Sequence, residues 1–308
     1  MISLGIDTSN YTTSSAVFDG ENYRLSRKIL DVGEGNRGIR QSDGVFIHNK
    51  ELPGIIKDVS DKTKIDVIGV STRPRTVEGS YMPVFTVGHG YAKAISTVSG
   101  VNMYEFSHQD GHIMAGIHSC GAYNLLKGSF ISVHLSGGTT EILASDYNGY
   151  NFDNKIIGGT LDISAGQLID RVGVNLGLKF PCGVELEKLS GMTTKSVKLP
   201  MSIKDSYFNL SGVETKLLKG IGEEDSVVAR TVLTYIKDVL VKSIDNAIMT
   251  TGIKNVLLVG GVASNEIIRN GLEKELNVDL YFASKELSSD NAVGIAILAY
   301  MAEEKNNG

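Results

Sequence analysis

Only two cysteines, Cys120 and Cys182, occur in the 308 residues, and their spacing builds no framework. That excludes the disulfide-stapled secreted class and places the chain in a reducing compartment, the cytoplasm. Basic charge is also short: 30 Lys and Arg stand against 35 Asp and Glu, for a net charge of −5. A protein that binds nucleic acid on its own normally carries a basic stripe, and this composition offers none. Apolar residues never run together for about 18 positions, and MISLGIDTSN has no basic segment leading into a long apolar one. Neither export nor a membrane span is expected. No stretch rich in Pro, Ser or Lys separates the two halves, which are therefore expected to share an interface.

What is present is core-forming material. With 42% hydrophobic and 21% charged residues, the chain has enough for one large domain or two medium ones. Many of the 35 glycines sit where a strand pattern gives way to a helical one. Ile2 to Ile6 reads as a strand, DTSNYTTS as a turn, and Ser15 to Phe18 as the return strand. Phe130 to Leu135, SGGTT and Glu141 to Ala144 repeat that hairpin. Between them lie strands at Asp66 to Ser71 and Val101 to Phe106 and a helix over Val84 to Val98. Val228, Val232, Ile236, Val239, Leu240 and Ile244 predict a helix over Ser226 to Thr250, stopped by Gly252. A strand at Val256 to Val259, a helix at Glu266 to Leu276, a strand near Leu280 to Phe282 and a helix over Ala292 to Glu303 follow. Two hairpin-led halves indicate a duplicated α/β architecture.

Several segments carry chemistry. In FSHQDGHIMAG, Ser107 followed three positions later by Asp110 is close to a capping box, so a helix starts here. That start places His108 and His112 at i and i+4 on one face. Two such imidazoles can converge on one cation; the alternative is a surface helix bearing two solvated histidines. His134 ends the strand ISVHL, sharing a face with Ser132 while Ile131, Val133 and Leu135 share the other. SGGTT (Ser136 to Thr140) and DTSNYTT (Asp7 to Thr13) are turns rich in hydroxyls and backbone N–H groups, suited to phosphate oxygens. In GGVASN, Asn265 either caps the next helix or bonds a ligand. Asp290, in SSDN, complements the dipole of the last helix.

Taken in order, SLGIDTS, HQDGH, VHLSGGTTEI, AGQLIDRVGVNLGLKFPCGVELEKLS, FNLSGVET, GGVASN and SDN resemble the tRNA adenosine threonylcarbamoyltransferase family, formerly the glycoprotease family. The resemblance implies an α/β fold of the actin-like/Hsp70-like ATPase kind. Two related ribonuclease-H-like lobes, residues 1–118 with 292–308 and residues 119–291, would hold a nucleotide- and metal-binding cleft between them. It implies one divalent metal, Fe2+ or Zn2+, on His108, His112 and Asp290, with His134 where some members have tyrosine; imidazole suits either metal. It implies an adenine nucleotide or acyl-adenylate ligand, held by His134, Leu135, Ser136, Gly137 and Gly138 at the phosphates. Asp170 and Glu187 would take the ribose, Gly183 would lie beneath the nucleoside, and Asn265 would face the adenine.

The implied reaction moves a threonylcarbamoyl group from threonylcarbamoyl-AMP to adenosine 37 of tRNA, with partner proteins and a homo- or hetero-dimer as expected company. No catalytic residue is singled out. Three departures stand out: Asn10-Tyr11-Thr12 lacks the family's two acidic residues, Thr139 replaces a histidine, and Arg73-Pro74-Arg75 replaces Gly-Pro-Gly. They raise two alternatives, a carbamoyltransferase with a non-tRNA acceptor and a non-catalytic nucleotide-binding partner protein. A peptidase is not indicated, because HxxxH lacks the glutamate of a zincin and no nucleophile–base pair is evident.

Overall fold

In the computed structural model, residues 1–9, 11–30, 39–77, 79–288 and 292–307 are described. Ser3–Ser9 forms β1, buried along its length, with Leu4, Ile6 and Thr8 on one face and Gly5 and Asp7 on the other. It pairs antiparallel with β2, Thr12–Phe18, and β3, Tyr23–Ile29, extends the ladder. The wide turn expected at Asp7–Thr13 is corrected here. Asp7, Thr8, Ser9, Thr12 and Thr13 all lie in the ladder, Thr8 opposite Thr13. Threonine fits a pleated ladder well, and a buried strand must pair its backbone groups, so the hairpin closes up rather than opening as a phosphate nest.

Next come α1, Gln41–Ser60, β4, Val67–Arg73, α2, Phe85–Ser99, β5, Asn102–Ser107, and α3, His108–Ser119. The sheet order is β3-β2-β1-β4-β5, with β4 parallel to both neighbours. Helix α1 was not anticipated, because Pro53 and Gly54 interrupt its periodicity. Its buried stripe of Gly44, His48, Leu52, Ile55 and Val59 nevertheless keeps helical spacing.

A second sheet follows the same plan. Its strands are β6, Phe130–Leu135, β7, Thr140–Tyr147, and β8, Phe152–Thr160. Helices α4, Ala165–Asn175, and α5, Gly183–Ser190, precede the short strands β9, Ser202–Lys204, and β10, Tyr207–Asn209. Then come α6, Ser211–Leu218, α7, Asp225–Thr251, β11, Asn255–Val259, α8, Glu266–Glu275, and β12, Asp279–Phe282. The order is β12-β11-β6-β7-β8-β10-β9. Around β6, as around β1, an antiparallel hairpin lies on one side and two parallel strands on the other. The chain closes with α9, Ala292–Asn307.

Two compact units result: Met1–Tyr123 with Tyr147–Asp153 and Ser289–Gly308, and Asn124–Asp146 with Asn154–Ser288. In the first, Leu4, Ile6, Ile68 and Val70 meet Leu52, Val59, Val87 and Ala92 from α1 and α2. On the opposite face Gly5 and Gly69 are register partners. A methyl on either would strike α9, at Ala292 and Ala296 or at Ile295 and Ala299, so their bareness lets α9 lie directly on the sheet. In the second, the apolar stripe of α7 forms the core against α4, α5 and the sheet, and Gly252, left-handed at φ 74°, ends the helix as expected. Among the described residues no helix is long and apolar enough to cross a membrane.

Candidate functional site

The start of α3 is held by a full capping box. The Ser107 hydroxyl accepts from Asp110 N at 3.1 Å, while the Asp110 carboxylate accepts from Ser107 N at 2.9 Å and from its hydroxyl at 2.7 Å. Thr76 donates to Asp110 at 3.1 Å, and Gln109 N donates to Pro74 O at 3.1 Å, so the segment that follows β4 is tied to the same helix end. Burial pushes the Asp110 carboxyl upward, and the hydrogen bonds from Ser107 and Thr76 only partly oppose it. Asp110 thus serves the cap, as its position in the sequence indicates.

With that phase fixed, His108 and His112 lie one turn apart and meet edge to face, ring centroids 4.7 Å from each other. The solvated-helix alternative is ruled out, because residues Gln109 through Ile117 of α3 are buried and His112 is only 6% exposed. Behind His108 stands Asp7, 1% exposed on β1. Its two carboxylate oxygens lie 3.1 and 3.2 Å from His108 Nδ1, and the Ser71 hydroxyl of β4 donates to the same group. Burial alone would raise the Asp7 pKa; the neighbouring His108 and hydrogen bonds from His108, Ser71 and Ser9 outweigh it, so the net direction is downward. Sequence reading missed Asp7 as a site residue. The signal was there, since a carboxylate directly after the apolar run Leu4 to Ile6, in a strand, calls for a partner if it is buried.

His48 was missed with its helix. It is fully buried, its Nδ1 2.7 Å from Thr13 Oγ1, and burial lowers its pKa against the opposing pull of Asp7. Of the expected metal ligands, Asp290 lies outside the described residues. His134 is buried on β6, across from Glu141 and beside Val259, sharing a face with Ser132 as alternation requires. Among the described residues no group of three or more His, Cys, Asp or Glu side chains is arranged to hold a metal. The donor types of the His108–His112 pair are ones a borderline-soft cation accepts: two neighbouring imidazoles, one backed by a buried carboxylate, could supply two ligands.

The expected nucleotide residues lie in the second unit and are joined by backbone-directed hydrogen bonds. Leu135 is buried at the end of β6. Ser136 Oγ accepts from Thr139 N at 3.1 Å, and Gly137 O accepts from Ser164, the N-cap of α4, at 2.7 Å, leaving Gly137 and Gly138 exposed at the turn. Asp170 Oδ1 accepts from Cys182 N at 2.8 Å, binding α4 to the residue before Gly183. Burial raises the Asp170 pKa, and that hydrogen bond partly offsets it. Glu187 Oε1 accepts from Glu266 N at 2.7 Å, which ties α5 to the start of α8. There Asn265 caps the helix, its Oδ1 accepting from Ile267 N and Ile268 N, both at 3.1 Å. Of its two anticipated roles the cap is realised, and it uses only the carbonyl end of the amide. A cavity of about 420 Å³ elsewhere in this unit is lined by Asp162, Ser211, Lys216 and Tyr235 among others, and by none of the expected site residues.

A family model described as tRNA N6-adenosine threonylcarbamoyltransferase matches residues 48–297. A tRNA N6-adenosine threonylcarbamoyltransferase of Thermosipho melanesiensis is 30% identical, over 97% of this chain and 94% of its own. A probable bifunctional tRNA threonylcarbamoyladenosine biosynthesis protein of Thermoplasma acidophilum is 28% identical over 98% of the chain, which spans only 56% of that protein. For the fold alone, the crystal structure of a ROK family protein from Streptococcus pneumoniae in complex with sucrose aligns over 100% of both chains at a TM-score of 0.60 and 11% identity. The α/β fold is the actin-like one expected.

Proposed function

The chain belongs to the tRNA N6-adenosine threonylcarbamoyltransferase family, a family of transferases, and we propose that it moves a threonylcarbamoyl group from threonylcarbamoyl-adenylate to the N6 amine of an adenosine in tRNA. The observation that carries this reading is that one family model spans 48–297, a range containing every residue expected at the metal and the nucleotide. In the reaction the adenosine nitrogen attacks the carbamoyl carbon and an N–C bond forms. The C–O bond to the phosphate breaks, AMP leaves with the electron pair, and the amine proton passes to solvent.

This chain's own residues orient the donor. Backbone N–H groups of Ser136 to Gly138 receive the phosphate, a job suited to an exposed glycine turn. Asp170 and Glu187 accept from the ribose hydroxyls; each already has one oxygen fixed by a backbone N–H, so each carboxylate is aimed before the ligand arrives. The amide end of Asn265, not used by its cap, meets the adenine above Gly183. His108, His112, His134 and Asp290 are the residues that would hold one divalent metal, iron or zinc, which would supply Lewis-acid polarisation. A net charge of −5 makes partner proteins the source of the basic surface that tRNA needs.

The test is reconstitution with a donor synthase, the family's partner proteins, metal and tRNA, followed by nucleoside mass spectrometry. Threonylcarbamoyladenosine formed above the no-protein background supports the reading. None formed, with the same mixture active when an ordinary family member is supplied, overturns it.

A further inference from the structure

The carboxylate behind His108 has a role that the transfer chemistry does not itself require, and the geometry of β1, β4 and α3 defines it. Asp7 presents both oxygens to one nitrogen of His108, Nδ1, at 3.1 and 3.2 Å. Both oxygens face that one nitrogen nearly equally and the group already accepts from Ser71, the geometry of an Nδ1–H donating between two carboxylate acceptors. In the neutral ring the lone pair then resides on Nε2. Asp7 is itself fixed: it lies within a buried strand paired on both sides, to β2 and β4, and the Ser71 hydroxyl donates to it. The α3 end of the pair is equally fixed, because the capping box sets the first turn that carries His108. Three elements distant in sequence thus specify one tautomer and one ring orientation.

We propose that Asp7, supported by Ser71, is the positioning residue for a metal ligand: it holds His108 as the Nδ1–H tautomer, so that Nε2 faces the cation as a neutral donor. The role rests on the metal reading above and adds to it a residue 101 positions away from His108. A carboxylate hydrogen-bonded behind a ligating imidazole fixes the ring and raises its basicity, and loss of such a partner costs 10- to 100-fold in metal affinity. Asp7 touches neither the metal nor the donor in this scheme. It acts through His108.

Two measurements test it. The first needs no metal: nitrogen-15 spectra of the metal-free protein, with labelled histidine, at a pH well above the histidine range. The His108 signals, assigned by their loss in His108→Gln, show the Nδ1–H tautomer in the wild type and move toward Nε2–H in Asp7→Ala. The second is zinc affinity by competition with a chromophoric chelator, which falls 10- to 100-fold in Asp7→Asn and by a smaller factor in Ser71→Ala. Zinc held as tightly by Asp7→Asn as by wild type overturns the proposal, and so does an Nε2–H tautomer in the wild type. Should the Asp7 variants not fold, the wild-type tautomer and Ser71→Ala still decide. A wild type that binds no zinc while keeping the Nδ1–H tautomer refutes the metal reading but leaves the orienting role of Asp7 standing.

Discussion

Replacing Gly294 with alanine isolates how strongly the histidine helix depends on its neighbour. Gly294 sits buried in the first turn of α9, where a Cβ would be driven into Gly111 O of α3 and would stand 2.8 Å from Ala115 N. Those are backbone atoms, which cannot rotate away as a side chain can. Relief requires α9 to move off α3, yet α9 is also seated on the sheet through Gly5 and Gly69. Overpacking of a well-filled core costs about 1–3 kcal/mol, and a backbone-on-backbone clash belongs at the upper end. Alanine in a helix returns at most about 1 kcal/mol of propensity over glycine. The net expectation is a loss of about 2 kcal/mol, or roughly 4–8 °C in the melting temperature of a domain of this size.

Gly90→Ala is the matched control. It lies in the interior of α2, exposed, with nothing within 4 Å of a built Cβ, so only the propensity gain applies and stability rises slightly. Thermal and urea unfolding of the pair gives the answer. Zinc affinity should fall alongside stability in Gly294→Ala, since α3 carries both imidazoles. A Gly294→Ala protein as stable as the wild type would refute the close approach of α3 and α9.

Further expectations follow from single groups. Cys182 is fully buried, and burial together with the Asp170 charge pushes its thiol up to about 11; alkylation at neutral pH, mapped by peptide mass spectrometry, should therefore mark Cys120 first, and equal rates would contradict this packing. His48 has a lowered pKa in the fold, so below its ordinary 6.5 the unfolded chain binds the extra proton first and stability falls as pH falls through that window. Its slope reaches at most about 1.4 kcal/mol per pH unit, and it should flatten in His48→Gln when urea midpoints are compared across that range. Asp170→Asn keeps an acceptor for Cys182 N but loses the charge; AMP affinity measured by calorimetry should drop by about 1.5–3 kcal/mol, and unchanged affinity would place the nucleotide elsewhere.

What could be read from sequence was local. Phe130–Leu135 is a strand residue for residue, because six apolar-rich positions end at a glycine turn. The α3 start was legible because a capping box involves residues three apart. What escaped was long-range or masked by breakers. Pro53 and Gly54 obscured α1, whose stability comes from a buried stripe rather than propensity. Asp7 meets His108 across 101 positions and Thr13 meets His48 across 35, and nothing in a linear pattern pairs them. The first hairpin misled for a related reason: hydroxyl-rich residues look like a turn until burial on both faces forces their backbone into a ladder.

The Arg73-Pro74-Arg75 departure looks different once its neighbours are known. The segment bonds the start of α3 through Pro74 O and, one residue beyond Arg75, through Thr76 to Asp110. The charge of Arg73 also favours the ionised form of Asp110, and Arg75 N donates to Ser80 Oγ at 3.1 Å. Arginine at 73 and 75 has less backbone freedom to lose on folding than glycine would. None of the groups assigned to the donor or to the metal lies in this loop. The segment therefore braces the start of the histidine helix through Pro74 O and Thr76, and the proposed chemistry keeps every residue assigned to it.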